Sequence, residues 1–350
     1  MTVDGVGGIW RYGVDLARSL NERLGISCLL AGFGPRPAAV PAGLELVWTD
    51  APLDWMASRA GGLAEVPELL DGLARRSGAE LLHLNLPSQA AGLASGWPVV
   101  CVSHSCVPTW WRAVRGTALP DDWEWHQACN RQGLLRAQQV LAPSGSHLRA
   151  MLECYAPLPA HALRVVPNAS ALAGRDAGKE PMILAAGRWW DEGKNGAVLD
   201  RAAARLDWPV LLAGATEGPS GQAMRPRHAR GLGPLGQQAL TGLMARAAIF
   251  AAPSLYEPFG LAVLEAARQH AALVLADIPS FRELWDGAAV FVPARDDRLW
   301  SQALAELAAD PARRASLARE AAARAAAFTP AAQLDGVARA YGRAMAAARN

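Results

Sequence analysis

Ala248-Ile-Phe-Ala-Ala-Pro-Ser-Leu-Tyr-Glu257-Pro-Phe-Gly-Leu-Ala-Val-Leu-Glu265 reads as a strand, a turn and a helix in succession. Ala248–Ala251 is an apolar run of strand length. Glu257 precedes Pro258, which biases its backbone away from helix, and Pro258 suits a first helical turn. Phe259, Gly260 and Leu261 are then expected to present free N–H groups at a helix N-terminus, a ready site for an anion or a hydroxyl. Glu265 follows on the same helix, where the Cβ leans back toward the N-terminus. Glu257 could be a plain loop charge and Glu265 a solvated helix residue. The neighbours of Glu265 argue otherwise, because Leu261, Val263, Leu264, Ala266 and Ala267 form surroundings in which an unpaired charge is costly.

The same alternation runs through the chain. Strand-length apolar runs fall at Ile26–Ala31, Leu44–Trp48, Glu80–Leu86, Pro98–Ser103, Gln139–Ala142 and Ala162–Val166. They continue at Met182–Ala186, Pro209–Ala213, Ala272–Ala276 and Ala289–Val292, with helical patterns between. Short continuous apolar strands separated by helices predict parallel sheets covered on both faces, wound right-handedly into Rossmann-like domains. The aperiodic stretch from Pro167-Asn168 to Glu180 predicts a break, with one domain over 1–170 and a second over 171–329. A final helix over 330–350 opens at Pro330. Such sheets bind ligands at the carboxyl ends of their strands, so two of them facing each other are expected to form a cleft.

Composition narrows the function. The 350 residues are 51% hydrophobic and 19% charged, which is globular. A formal net charge of +2, with no Lys/Arg run that reads as a basic stripe, argues against a nucleic-acid partner. The five cysteines are odd in number and lack CxxC spacing, against a zinc site or a disulfide framework and for a reducing compartment. Without a signal-like N-terminus or an apolar run of ~20 residues, the sequence reads as cytoplasmic. Thirteen tryptophans are present, and Trp110, Trp111, Trp123 and Trp125 crowd together, suiting either packing or the stacking of a sugar. Trp110 and Trp111 beside Arg112 and Arg115 also suit peripheral membrane contact, a weaker reading than the other two.

Three further segments lie where chemistry belongs. In Gly187-Arg-Trp-Trp-Asp-Glu-Gly-Lys194-Asn195 a strand ends, a glycine turns the chain, and Arg188 and Lys194 flank the turn, suiting a diphosphate; Asn195 reads as an N-cap. Asp4-Gly-Val-Gly-Gly8 opens an amphipathic helix, and glycines there admit a phosphate to backbone N–H groups. It lacks the third glycine of a dinucleotide fingerprint, with Trp10 in that place, which counts against NAD. His104 follows the strand Pro98–Ser103, whereas His126, on a helical pattern, reads as packing or capping. No GxSxG elbow supports a serine hydrolase, and with no D-x-D pair placed after a strand and no histidine cluster, a catalytic metal is unsupported.

Together these segments resemble the retaining glycosyltransferases of family 4, which have the two-domain GT-B fold. The similarity is strongest in the E-x7-E pattern of Glu257 and Glu265, and extends to Gly187-Arg188, Lys194-Asn195, Gly7-Gly8, His104, Ala142-Pro-Ser144 and Val166-Pro-Asn168. The resemblance implies a nucleoside-diphosphate sugar as donor, a sugar or lipid-linked acceptor, and neither metal nor other cofactor. It implies Arg188 and Lys194 on the diphosphate, Glu265 on the ribose and backbone near Gly233–Leu235 on the base. The Phe259–Leu261 amides, Glu257 and His104 would meet the transferred sugar, and the last helix would cross back to the first domain. A non-catalytic nucleotide-sugar-binding scaffold and a GT-B epimerase are the alternatives.

Two departures stand out. His270-Ala-Ala272 replaces the Gly-x-Pro frequent in the family. Ahead of the glycine turn only Met1-Thr-Val3 remains, about 10 Å of chain against a typical strand of ~5–6 residues. A stub at the centre of a doubly wound sheet leaves neighbouring strands without hydrogen-bond partners, so the first strand is expected to be incomplete in this chain.

Overall fold

The computed structural model describes every residue except Val6, Ala38, Ala39, Ser95, Asp176, Ser220 and Asn350; of the glycine turn, Val6 therefore lies outside the described residues. The chain divides into two units, Met1–Asn168 with Pro330–Asn350, and Ala169–Thr329.

The first unit begins β1 (Thr2–Asp4), α1 (Gly8–Leu24), β2 (Leu29–Phe33), β3 (Glu45–Trp48) and α2 (Val66–Ser77). It continues β4 (Leu82–Leu84), β5 (Val99–Val102), α3 (Val107–Arg115), α4 (Glu124–Arg136), β6 (Gln139–Ala142), α5 (Gly145–Tyr155) and β7 (Leu163–Val165). All pairings are parallel, but the strands form two sheets, β1-β2-β3 and β4-β5-β6-β7, rather than one continuous ladder. Side chains join them. The Asn85 amide N–H donates to Thr2 Oγ1 at 2.8 Å, Asn85 Nδ2 donates to the Thr2 carbonyl at 2.6 Å, and the Thr2 hydroxyl donates to Gln89 Oε1 at 2.7 Å. Thr2, Asn85 and Gln89 thus link the two sheets by hydrogen bonds where, among the described residues, no ladder pairs β1 with β4.

Close backbone approach fixes one helix of this unit. A Cβ on Gly133 of α4 would lie 1.7 Å from the Pro87 carbonyl oxygen, so only glycine lets α4 seat there.

The second unit runs β8 (Glu180–Ala186), α6 (Gly196–Ala203), β9 (Val210–Ala213), β10 (Arg230–Gly233), α7 (Gln237–Arg246) and β11 (Ala247–Ala252). It continues α8 (Leu261–Arg268), β12 (Ala272–Ala276), α9 (Pro279–Trp285), β13 (Ala289–Val292), α10 (Asp297–Ala309) and α11 (Pro311–Ala325). One six-stranded parallel sheet has the order β10-β9-β8-β11-β12-β13. Its central strands are buried on both faces, as continuous Ile, Leu, Val, Phe and Ala runs require: Ile183, Leu184, Ile249, Leu273 and Val274 are fully buried. Strand order reverses between β8 and β11, and that reversal opens a crevice at the carboxyl ends of these two strands.

The last helix, α12 (Pro330–Ala347), belongs to the first unit. Leu334, Val337, Ala340 and Ala344 pack with Tyr12, Leu16 and Leu20 of α1 and with Val100, Val102 and Leu141 of the sheet.

Candidate functional site

The loops that follow β8 and β11 flank the point where strand order reverses. The β8 loop starts at Gly187, whose carbonyl Gly214 approaches closely. Its N–H donates to the Ala213 carbonyl at 3.0 Å, and a Cβ on Gly214, whose φ is 123°, would fall 1.9 Å from the Gly187 oxygen. Arg188 and Lys194 both project from this loop. The Lys194 stem lies beside Gly187, 3.6 Å from where a Cβ would stand, and its ammonium pairs with the Glu257 carboxylate of the β11 loop. Arg188 pairs with Asp191 at 3.3 Å, and its guanidinium lies 5.5 Å from the centre of the Trp190 ring.

Backbone contacts lock the two loops together. Leu255 N–H donates to the Gly193 carbonyl at 2.8 Å, and Asn195 Nδ2 donates to the carbonyls of Pro253 at 3.0 Å and Ala294 at 2.7 Å. Asn195 precedes α6 as expected but does not cap it with its side chain; it adopts a left-handed conformation, φ 54°, and its amide bridges the loops instead.

The β11 loop differs from the sequence expectation in where its helix begins. Pro258 and Phe259 precede the helix, Gly260 turns the chain at φ 90°, and α8 starts at Leu261. The first intrahelical bond runs from Leu264 N–H to the Gly260 carbonyl at 3.0 Å, so Leu261, Ala262 and Val263 carry the first-turn amides in place of Phe259, Gly260 and Leu261. Phe259 is buried, with its ring edge-on to Phe328 at 5.4 Å. The Ser280 hydroxyl donates to the Glu257 carbonyl and holds the turn. Glu265 is 4% exposed in the middle of α8, so it is not a solvated helix residue. Leu235, half-buried, follows β10.

In the first unit, Gly8 is the exposed first residue of α1, and Gly7 before it has φ 97°. His104 follows β5 with Nε2 at 2.9 Å from Asn85 Oδ1, and the Tyr12 ring meets it edge-on at 4.4 Å. Asn85 Nδ2 donates to Thr2, so Oδ1 accepts and His104 Nε2 is the donor, leaving Nδ1 with a lone pair. Burial, with His147 nearby, pulls the imidazole pKa down to about 3, so it is neutral at physiological pH. Asn85, which holds the His104 ring by this bond, was not singled out by sequence reading inside a strand; its signal is a polar residue at the carboxyl end of an apolar run. His126 is buried against Asp54, Nε2 to Oδ2 at 3.2 Å.

Trp110, Trp111, Trp123 and Trp125 are each half-buried. Trp123 and Trp125 stack at 6.2 Å, and the Arg115 guanidinium lies 5.6 Å from the Trp111 ring centre. Among the described residues, no group of three or more His, Cys, Asp or Glu could hold a metal ion, and no helix is long and apolar enough to cross a membrane.

A family model for the glycosyl transferases group 1 matches residues 180–310, and one for Glycosyltransferase Family 4 matches residues 6–171. The chain belongs to the family 4 glycosyltransferases. Its fold is GT-B, with two Rossmann-like domains. The chain is similar to sucrose-phosphate synthase from Thermosynechococcus elongatus, with a TM-score of 0.81, 17% identity and 99% of each chain covered. It is also similar to Anabaena HepE, solved in complex with UDP-glucose, with a TM-score of 0.70, 16% identity, and 97% of this chain and 98% of that one covered. A glycosyltransferase from Rickettsia africae matches with a TM-score of 0.70 at 13% identity, over 98% and 97% of the two chains. No curated protein sequence matches this family member.

Proposed function

We propose that this glycosyltransferase moves a hexose-type sugar from a UDP- or GDP-sugar to a glycan, lipid-linked or small-molecule acceptor, in the cytoplasm, with retention and without a metal ion or other cofactor. One observation carries the reading: where strand order reverses in the second unit, the β8 loop that bears Arg188 and Lys194 is paired through Lys194 and Glu257 to the β11 loop, which leads into the helix with buried Glu265. Anabaena HepE, of the same fold, was solved with UDP-glucose, which supports a nucleotide sugar as donor.

Arg188 and Lys194 take the diphosphate, exchanging the carboxylates they now face for phosphate oxygens. They offset the charge that develops on the leaving group, the work a metal ion does in other enzymes. Glu265 receives the ribose hydroxyls, backbone at Gly233–Leu235 meets the base, and Glu257 with the first amides of α8 meets the sugar. His104, neutral and with a fixed donor nitrogen, serves turnover. Retention follows if the leaving phosphate oxygen accepts the acceptor's proton on the face from which the nucleotide departs.

The test is calorimetry and turnover with UDP-glucose and GDP-mannose. Glu265→Ala and Arg188→Ala are expected to weaken donor binding, since those groups bind ground and transition states alike. Glu257→Ala and His104→Ala are expected chiefly to lower kcat. Unchanged donor affinity in both of the first two variants would refute the site.

A further inference from the structure

Adjacent tryptophans on the β8 loop do different work. Trp189 is 3% exposed, donates from Nε1 to the Ala213 carbonyl at 3.0 Å, and belongs to the core of the second unit. Trp190 is half-buried and faces two other partners. One is the Arg188 guanidinium, 5.5 Å from the ring centre. The other is Gly218, where a Cβ would meet Gln222 Oε1 at 2.6 Å, the indole Cδ2 at 2.8 Å and Cε3 at 2.9 Å, so the ring packs closely against a residue without a side chain.

Gly218 sits in a hairpin that follows β9. Glu217 and Ala223 form an antiparallel bridge, Gly218 N–H donates to the Gln222 carbonyl at 2.7 Å, and Met224 N–H donates to the Thr216 carbonyl at 2.9 Å. The hairpin is tied to the β8 loop itself, because Trp189 N–H donates to the Ala215 carbonyl at 2.8 Å. Hairpin and guanidinium thus both lie against the indole, with Asp191 holding Arg188 by a 3.3 Å ion pair.

We propose that Trp190 is a positioning residue of the donor site, fixing the Arg188 guanidinium where a diphosphate meets it. The inference rests on the donor reading given above. A long arginine side chain has many rotamers, and ordering it on binding is costly. An indole face offers a cation a flat partner that does not compete with phosphate for its N–H groups. Asp191 does compete: its carboxylate must yield to the incoming phosphate. When it does, the indole is a contact that still holds Arg188. Glycine at 218 suits the same packing, since a side chain there would crowd the indole and the Gln222 side chain.

The experiment is a double-mutant cycle on donor affinity, read by calorimetry with UDP and GDP and their glucose and mannose conjugates. Trp190→Ala is expected to weaken binding roughly threefold to tenfold, to raise donor KM more than it lowers kcat, and to be largely rescued by Trp190→Phe. In an Arg188→Ala background, Trp190→Ala should cost nothing further, whereas a merely structural tryptophan would add its own loss. Gly218→Ala crowds the indole and the Gln222 side chain without removing the ring, and any loss it causes should appear only while Arg188 is present. Additive losses, or full affinity in Trp190→Ala, overturn the proposal while the donor site stands. A wild-type chain that binds none of these nucleotides overturns the donor reading and this proposal with it.

Discussion

His270 occupies the position at which α8 ends in a left-handed turn. Its φ is 56°, its N–H donates to the Ala267 carbonyl at 3.0 Å, and Ala271 N–H donates to the Ala266 carbonyl at 3.1 Å. These two bonds are the paired closure of a Schellman turn, whose left-handed residue is usually glycine. A residue with a Cβ in that conformation costs roughly 1–2 kcal/mol. Glycine would recover this but loses roughly 0.5–1 kcal/mol more conformational freedom on folding. The side chain at 270 is exposed, so little packing is lost. His270→Gly is therefore expected to stabilise the second unit by a net ~0.5–1 kcal/mol. That corresponds to a melting shift of roughly 1–4 °C in a unit of this size. Urea denaturation of the whole chain followed by tryptophan fluorescence is the assay. His270→Ala is the control, because it trims the imidazole and keeps the Cβ. Equal gains in the Gly and Ala variants, or a loss in the Gly variant, would refute the conformational account.

Activity is expected to survive EDTA; a loss that Mg²⁺ or Mn²⁺ restores would show that Arg188 and Lys194 do not carry the diphosphate alone. Asp54 is buried, which raises its pKa, but hydrogen bonds from His126, Asn130 and Ser88 and the charge of His126 outweigh this and hold the carboxyl below its ordinary value. The sign is that of a depressed acid: the stabilisation is complete above the unfolded carboxylate pKa and is lost as pH falls through the folded one. Asp54→Asn sets an amide against the buried groups of His126, Asn130 and Ser88 and should cost about 1–3 kcal/mol at neutral pH, and its deficit against wild type should shrink below about pH 4; a deficit independent of pH would contradict that.

Much of the fold was legible because the strands are buried on both faces, which forces continuous apolar runs. Gln139–Ala142, Ala272–Ala276 and Ala289–Val292 have the bounds read from the pattern. The strand Arg230–Gly233 escaped notice because Arg-Gly-Leu-Gly has neither an apolar run nor alternation; it forms as an edge strand paired to β9. The loop before it is set from a distance, with Asp200 Oδ1 accepting three successive N–H groups, from Arg227, His228 and Ala229, at 2.8–2.9 Å. The start of α8 was misplaced for a local reason. Pro258 is compatible with a first turn, but the left-handed Gly260 ends that option two residues later. At the site, residue types and spacing pointed to Arg188, Lys194, Glu257 and Glu265. The pairing of Lys194 with Glu257 and the role of Asn85 depend on contacts 63 and 83 residues apart in the chain, which no local pattern encodes.

The Lys194–Glu257 pair bears on what the site discriminates. Both side chains are 19% exposed, so either charge left alone would be partly desolvated and costly. Paired, the two charges offset each other. On the proposed assignment, phosphate takes over the lysine while a sugar hydroxyl donates to the glutamate. A nucleoside diphosphate without its sugar satisfies the first demand and strands the carboxylate; a free sugar satisfies the second and strands the ammonium. Only a ligand carrying an anion and hydroxyl donors in one molecule replaces both halves of the pair at once. The loops that present the two charges are latched through Gly193, Asn195, Pro253 and Leu255, so the separation between the two demands is set by the backbone before any ligand arrives. Selectivity for the intact donor over its hydrolysis products then arises from the unpaired group each product leaves behind, a larger penalty than the loss of a contact alone.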